Sequence, residues 1–251
     1  GWRSSTASLM QRLPLELAEG RDTIDPVQGS ANQIHTGLSG SDQSLLACRK
    51  CRRLVKQLAK LRLSYPDYWN RPVPASLGSD ASTINPIVDT LIVDTPILIV
   101  GLAPGMHGAN KTGKPFVGDA SGELLHATLK QLELQDKVII TNAVKCLPIK
   151  NLPNMKEVKN CSQYLVQELE RHARQPTPVV FSLGGVAHRA VIGAMGLRQA
   201  DYSFRHKAVH NLQKLTLVNS YHCSRYNTHT GRLTPAMFKS ALAKAKALAR
   251  L

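Results

Sequence analysis

The sequence predicts an α/β protein of three layers, α/β/α, built on a central, twisted, four-stranded parallel sheet. Three observations predict it. Four short apolar, β-branched runs, Pro96–Val100, Val138–Thr141, Pro178–Phe181 and Leu215–Val218, are too short for buried helices and are each followed closely by Gly, Asn or His. Helical patterns lie between and beside them, and strands alternating with helices imply βαβ units with helices on both faces. With 43% hydrophobic residues in 251, the chain can also fill a core of that size.

The elements follow in order. Residues 1–43 read as a flexible tail, because Gly29–Ser41 is small and polar with no apolar period. Residues 44–251 read as the folded domain. Leu45–Leu63 places Cys51, Leu54, Leu58 and Leu61 on one helical stripe, and Ser76–Asp89 reads as a loop. The first strand runs into Gly101-Leu-Ala-Pro-Gly105. A helix over Gly122–Leu134 takes Ser121 as its N-cap. The second strand ends at Asn142 and precedes a helix over Met155–His172. The third strand leads to Gly184-Gly185 and a helix over Val186–Met195. The fourth leads to Tyr221-His222, and Pro235 opens the C-terminal helix through Leu251. Parallel sheets bind ligands beyond the carboxyl ends of their strands, so the four strand tips are expected to meet at one pocket.

Charge narrows the partner. Thirty-two Lys and Arg against 17 Asp and Glu leave +15, which favours nucleic acid or an anionic membrane surface. The excess is clustered. Gly185–Leu251 carries eleven basic residues and one acid, Asp201, while Leu45–Tyr65 carries seven basic residues and no acid. Solvated helix faces would give basic residues too, but two dense segments suit a surface that tracks phosphates. No apolar run approaches the roughly 18 residues of a membrane span. Five cysteines, an odd number without a secretory signal, place the chain in a reducing intracellular compartment.

Three constellations carry chemistry. Cys48-Arg-Lys-Cys51, with Cys146 and Cys161, could hold zinc or an iron–sulfur cluster, or be scattered buried thiols. Gly108–Lys114 fits G-x4-G-K, yet Pro115 stands where a phosphate-binding loop needs Ser or Thr, which excludes an ATPase. Six glycines over Gly101–Gly122 make a loop that lets backbone approach a ligand closely. Ser220–Thr234 gathers imidazole, guanidinium, amide and hydroxyl groups without an acid, a set suited to phosphate and base contacts.

Three of these segments, GLAPGMHGANKTGKPFVGDASGELL, TNAVKCLP and SYHCSRYNTHTGRLTPAMF, resemble the signature regions of the uracil-DNA glycosylase superfamily, most of all family 5. The resemblance covers about Leu45 to Ser240, with Tyr68–Pro74 also matching. It implies a monofunctional glycosylase, a monomer in the cytoplasm or nucleoid, that excises uracil and other deaminated bases such as hypoxanthine from double- or single-stranded DNA. By the same resemblance, Phe116 stacks on the extruded base, Asn142 reads its edge and His222 faces the carbonyl where charge develops. Asp119 handles water, while Leu102 is apolar where family 4 has a carboxylate; Ala103 lies beside it. Arg225, Asn227, Thr230 and Arg232 belong to the DNA-gripping loop, and Cys48, Cys51, Cys146 and Cys161 hold a [4Fe–4S] cluster. Gly105, Met106 and Cys223 depart from the family pattern. A family 4-like enzyme restricted to uracil and a silent DNA-binding module on the same fold are the alternatives.

Overall fold

The computed structural model describes residues 40–79 and 94–251. The expected tail therefore lies outside the described residues except for its last four positions, which already belong to helix α1, Gly40–Leu46. Most of the loop expected over Ser76–Asp89 lies outside them as well. Among the described residues no helix is long and apolar enough to cross a membrane.

The four expected strands form as β2 (Ile97–Gly101), β3 (Val138–Asn142), β4 (Val179–Leu183) and β6 (Leu215–Ser220), in the order β3-β2-β4-β6 and mutually parallel. Among the described residues the sheet has six strands rather than four. Two short antiparallel edges, β1 (Ser76–Leu77) and β5 (Val209–Leu212), pair with β3 and β6. Neither edge carries a long apolar run, because only backbone pairing and one buried face are asked of it.

Helices cover both faces. Ile97, Ile99, Val138, Ile140 and Phe181 point to one side, where α4 (Ala120–Gln131) and α8 (Pro235–Leu248) supply Leu125, Leu129, Phe238 and Leu242. Leu98, Val100, Val180 and Leu217 point to the other, against α5 (Met155–His172) and α6 (Gly185–Ala194). Period-two alternation within strands buried on both faces explains why they read as continuous apolar runs. Helix α5 starts at a capping box, in which the Asn154 side chain accepts from Glu157 N–H and the Glu157 carboxylate accepts from Asn154 N–H.

Two expected helices differ. The stripe over Leu45–Leu63 is broken into α1 and α2 (Arg52–Ser64) at Cys48–Cys51, where the chain turns and both thiols join the site described below. Helix α4 is capped by Asp119 rather than Ser121.

At the C-terminus of α5, the buried His172 lies with Nε2 3.0 Å from the Val179 carbonyl oxygen, to which it donates, and burial pushes its pKa down to about 4. The folded value lies below the unfolded one, so the unfolded chain binds more protons between pH 6.5 and about 4. Stability is therefore expected to fall as pH drops through that window, by about 3 kcal/mol from this residue. Urea melts across that range should show a flatter pH slope for His172→Gln than for the wild type.

Candidate active site

A cavity of about 360 Å³ opens beyond the carboxyl ends of β2, β3 and β6, and Leu102, Ala103, Phe116, Asp119, Asn142 and His222 line it. The expected convergence is incomplete. The tip of β4, Gly184-Gly185, borders a neighbouring cavity of about 220 Å³ that shares Leu102 and His222 with the first.

Backbone freedom builds the floor. Phe116 sits at φ 56°, a left-handed conformation that costs a non-glycine residue energy and that its surroundings must hold. They do so by close approach: a Cβ on Gly101 would strike both the Phe116 ring and the Asn142 amide, and one on Gly122 would strike the Phe116 carbonyl. Gly101 pairs with Asn142 across the β2–β3 ladder, which fixes the amide beside the ring. Phe116 and His222 lie with ring centroids 5.9 Å apart and planes tilted by 31°.

The polar atoms are poised. Asp119 Oδ1 accepts from Gly122 N–H at 2.9 Å and so caps α4. Its Oδ2 lies against bare glycine backbone, with an imagined Cβ on Gly105 only 3.2 Å away. Asn142 Oδ1 and His222 Nδ1 are buried and have no hydrogen-bond partner within the protein. Buried polar atoms are nearly always paired, so two orphans in one cavity mark where a ligand's polar atoms belong. Burial pushes the His222 pKa down and the nearby Asp119 carboxylate partly restores it, which leaves a neutral imidazole at neutral pH.

The loop after His222 divides its labour. Arg225 opens the short helix α7 (Arg225–His229) and is exposed. Asn227 Nδ2 donates to the His222 carbonyl at 2.8 Å, so this amide holds the loop from within. The Thr230 hydroxyl donates to the Tyr226 carbonyl at 2.8 Å and closes α7. Arg232 lies 4.8 Å over the Tyr221 ring and lines the second cavity. Cys223 is buried, with its Sγ donating to Ser121 O at 3.4 Å and its pKa pushed up to about 12 by burial, an inert thiol.

Sequence reasoning missed three residues here. Asn151 lines the main cavity from a left-handed turn, with φ 55° at Lys150 and 56° at Asn151; an Asn in a Pro-bounded loop was its only signal. Tyr226, 72% exposed, stands two residues beyond Ser224, which lines the cavity. Lys145 is wholly buried; its Nζ bonds Glu168 Oε1 and Oε2 at 2.6 and 2.7 Å and donates to Thr141 as well. This pair ties the end of β3 to α5 between the cavity and the cysteines, and removing one partner would strand a buried charge.

Cys48, Cys51, Cys146 and Cys161 line one small pocket with Leu54, Val144 and Tyr164 around them. All are free thiols. Lys145 N–H lies 3.3 Å from Cys161 Sγ, and Asn160 Nδ2 lies 3.4 Å from Cys51 Sγ, both as donors. Burial and the other sulfurs push the Cys146 and Cys161 pKa values up, Cys161 to about 11. Gathered thiols with N–H donors are the donor set of a thiolate-bound centre. Yet among the described residues no group of three His, Cys, Asp or Glu side chains is arranged to hold a single metal ion.

Residues 89–246 match the family model described as Uracil DNA glycosylase superfamily. The chain is 38% identical over 228 residues to a type-5 uracil-DNA glycosylase of Thermus thermophilus, an alignment covering 83% of this chain and 97% of that one. It is 38% identical over 236 residues to a type-5 uracil-DNA glycosylase of Pyrobaculum aerophilum, covering 86% and 96%. It is also similar to a type-4 uracil-DNA glycosylase of Archaeoglobus fulgidus, 36% identical over 186 residues, covering 72% and 78%. The chain therefore belongs to the uracil-DNA glycosylase superfamily, with the type-5 enzymes.

Proposed function

We propose that this chain extrudes uracil from DNA and hydrolyses its N-glycosidic bond, the opening step of base-excision repair. The observation that carries the reading is the pair of buried, partnerless atoms, Asn142 Oδ1 and His222 Nδ1, in a cavity that also holds Phe116 and Asp119. Extrusion costs a few kcal/mol of stacking and pairing, offset by stacking on Phe116 and by phosphate contacts from the basic surface around Arg225 and Arg232. Asn142 Oδ1 then accepts the imide N–H of uracil. Neutral His222, protonated on the cavity-facing nitrogen, donates to the carbonyl that gathers charge as C1′–N1 breaks, and a fixed donor there favours the transition state over the ground state. The electron pair of that bond leaves with the base. Asp119 Oδ2 accepts a proton from the water whose oxygen bonds C1′. Leu102 and Ala103 give the cavity an apolar wall and leave the carboxylate work to Asp119.

The four cysteines would hold a [4Fe–4S] cluster. Zinc would take all four sulfurs about 2.3 Å from one ion, whereas a cluster takes one thiolate at each iron. When bound, it braces the α1–α2 turn against the loop after β3 and the body of α5; the expected sign is a brown protein with broad visible absorption, and a colourless, zinc-loaded protein would refute it. We read the chain as a monomer acting where DNA is held, in the cytoplasm or nucleoid. Hypoxanthine, which offers a comparable N–H beside a carbonyl, is a second substrate on this reading.

The test is single-turnover excision on duplexes carrying uracil, hypoxanthine or thymine opposite guanine, read as alkali-labile sites. Uracil should be released fastest, hypoxanthine more slowly and thymine least. Tight binding with no alkali-labile site on any duplex would instead assign a silent DNA-binding module.

A further inference from the structure

We propose that an exposed aromatic–basic platform, formed by Tyr65, Tyr68, His107 and Lys111, stacks an unpaired base of single-stranded DNA beside the extruded nucleotide. The inference rests on the reading of the main cavity as a DNA site. Tyr65 and Tyr68 lie with ring centroids 4.9 Å apart and planes tilted by 36°, and His107 meets both rings edge-on, at 6.3 and 6.0 Å. The Tyr68 hydroxyl lies 3.0 Å from His107 Nδ1, and the Lys111 ammonium sits 5.6 Å over the Tyr68 ring. Tyr65 is 39% exposed, which leaves part of a large π-surface open to solvent.

The platform is built, not accidental. Trp69 N–H donates to Lys111 O at 3.0 Å, Asn70 N–H to Asn110 O at 3.2 Å, and the buried Asn110 amide to Asn70 Oδ1 at 2.8 Å. Asn70 Nδ2 in turn donates to Tyr65 O at 2.7 Å. These bonds stitch the turn after α2 to the short helix α3 (Ala109–Thr112), so the rings are held in place before any ligand arrives.

Position and charge select the occupant. Gly105 and Ala109 line the base cavity, and His107 projects to solvent from the segment between them. The platform thus flanks the catalytic loop. Helix α2 leads into the platform, with Tyr65 as its C-cap; its Arg52, Lys56 and Lys60 are exposed, and no acid occurs anywhere from Leu45 to Tyr65. Aromatic rings beside a cationic track are how sequence-tolerant single-strand sites are made, since every base offers a π-face and every nucleotide a phosphate. A paired base has both faces covered by its neighbours, so the platform discriminates by strandedness.

The test is fluorescence anisotropy of the full chain with one labelled, uracil-free oligonucleotide, presented as a single strand and as a duplex. Tyr65→Ala is expected to weaken single-strand binding by about 5- to 100-fold, the measured range for losing one stacked base. Duplex affinity should change far less, Tyr65→Phe should bind as the wild type does, and single-turnover uracil release at saturating enzyme should be unaltered. Unchanged single-strand affinity in Tyr65→Ala, or an equal loss on both forms, would overturn the platform. Failure of the wild type to release uracil, with the strand-selective loss intact, would instead overturn the glycosylase reading and leave the platform standing.

Discussion

Asp119→Asn is expected to slow single-turnover uracil release by about 10²–10⁴-fold, the usual contribution of a positioned acid–base group. The choice of asparagine matters because Asp119 has two tasks on two oxygens. Oδ1 accepts from Gly122 N–H and starts α4, while Oδ2 faces the cavity beside Gly105 and Gly108. Asparagine is as good an N-cap as aspartate, so the variant keeps the helix start and removes only the charge that takes the water's proton. Asp119→Ala removes both and should also cost α4 about 1 kcal/mol of capping. Equal rate losses in the two variants, with a lower melting temperature only in the alanine form, would separate chemistry from folding. Near-wild-type release by Asp119→Asn would remove the carboxylate from the mechanism.

What the sequence reveals, and what it hides, follows from how each residue is constrained. The four central strands were legible because burial on both faces demands unbroken apolar runs, whereas β1 and β5 answer to backbone pairing at an edge and carry no such run. The sequence favours Ser121 as the cap of α4, yet Asp119, as good a cap two residues earlier, takes that place, just after the left-handed turn at Phe116 that only the folded loop enforces. The break between α1 and α2 was hidden because the apolar stripe runs on through Cys51, whereas the chain turns there and Cys48 and Cys51 line one pocket with Cys146 and Cys161. Strand tips brought Asn142 and His222 into view, because those positions are set by short-range geometry at the ends of regular elements, whereas the parts given to Phe116 and Asp119 came with the family resemblance. Asn151 escaped, since nothing periodic sets a loop residue, and so did Lys145, which is buried only because Glu168 arrives from a distant helix. The amide of Asn227, expected in the DNA-gripping loop, donates to the His222 carbonyl, a contact no spacing announces.

Asn142→Ala is expected to lower uracil release by about 10²–10³-fold, the scale for losing one preorganised polar contact at a reacting group, with little change in DNA affinity. The separation follows from where each energy resides. On the proposed reading, affinity comes from phosphates meeting exposed cations such as Arg225 and Arg232, and is blind to the base. Discrimination then rests on one buried atom. Asn142 Oδ1 has no partner in the protein, and the N–H of uracil would supply one. Cytosine presents a ring-nitrogen acceptor at that edge, which would face the oxygen, leave it unsatisfied and cost about 1–3 kcal/mol. Removing the amide removes that penalty along with the favourable contact, so the variant should lose uracil-over-cytosine preference as well as rate. Single-turnover assays on matched uracil and cytosine duplexes, with binding measured on the same strands, give both quantities. A variant that bound DNA poorly yet kept full preference among the bases it did excise would show that Asn142 holds the strand and leaves base reading to another residue.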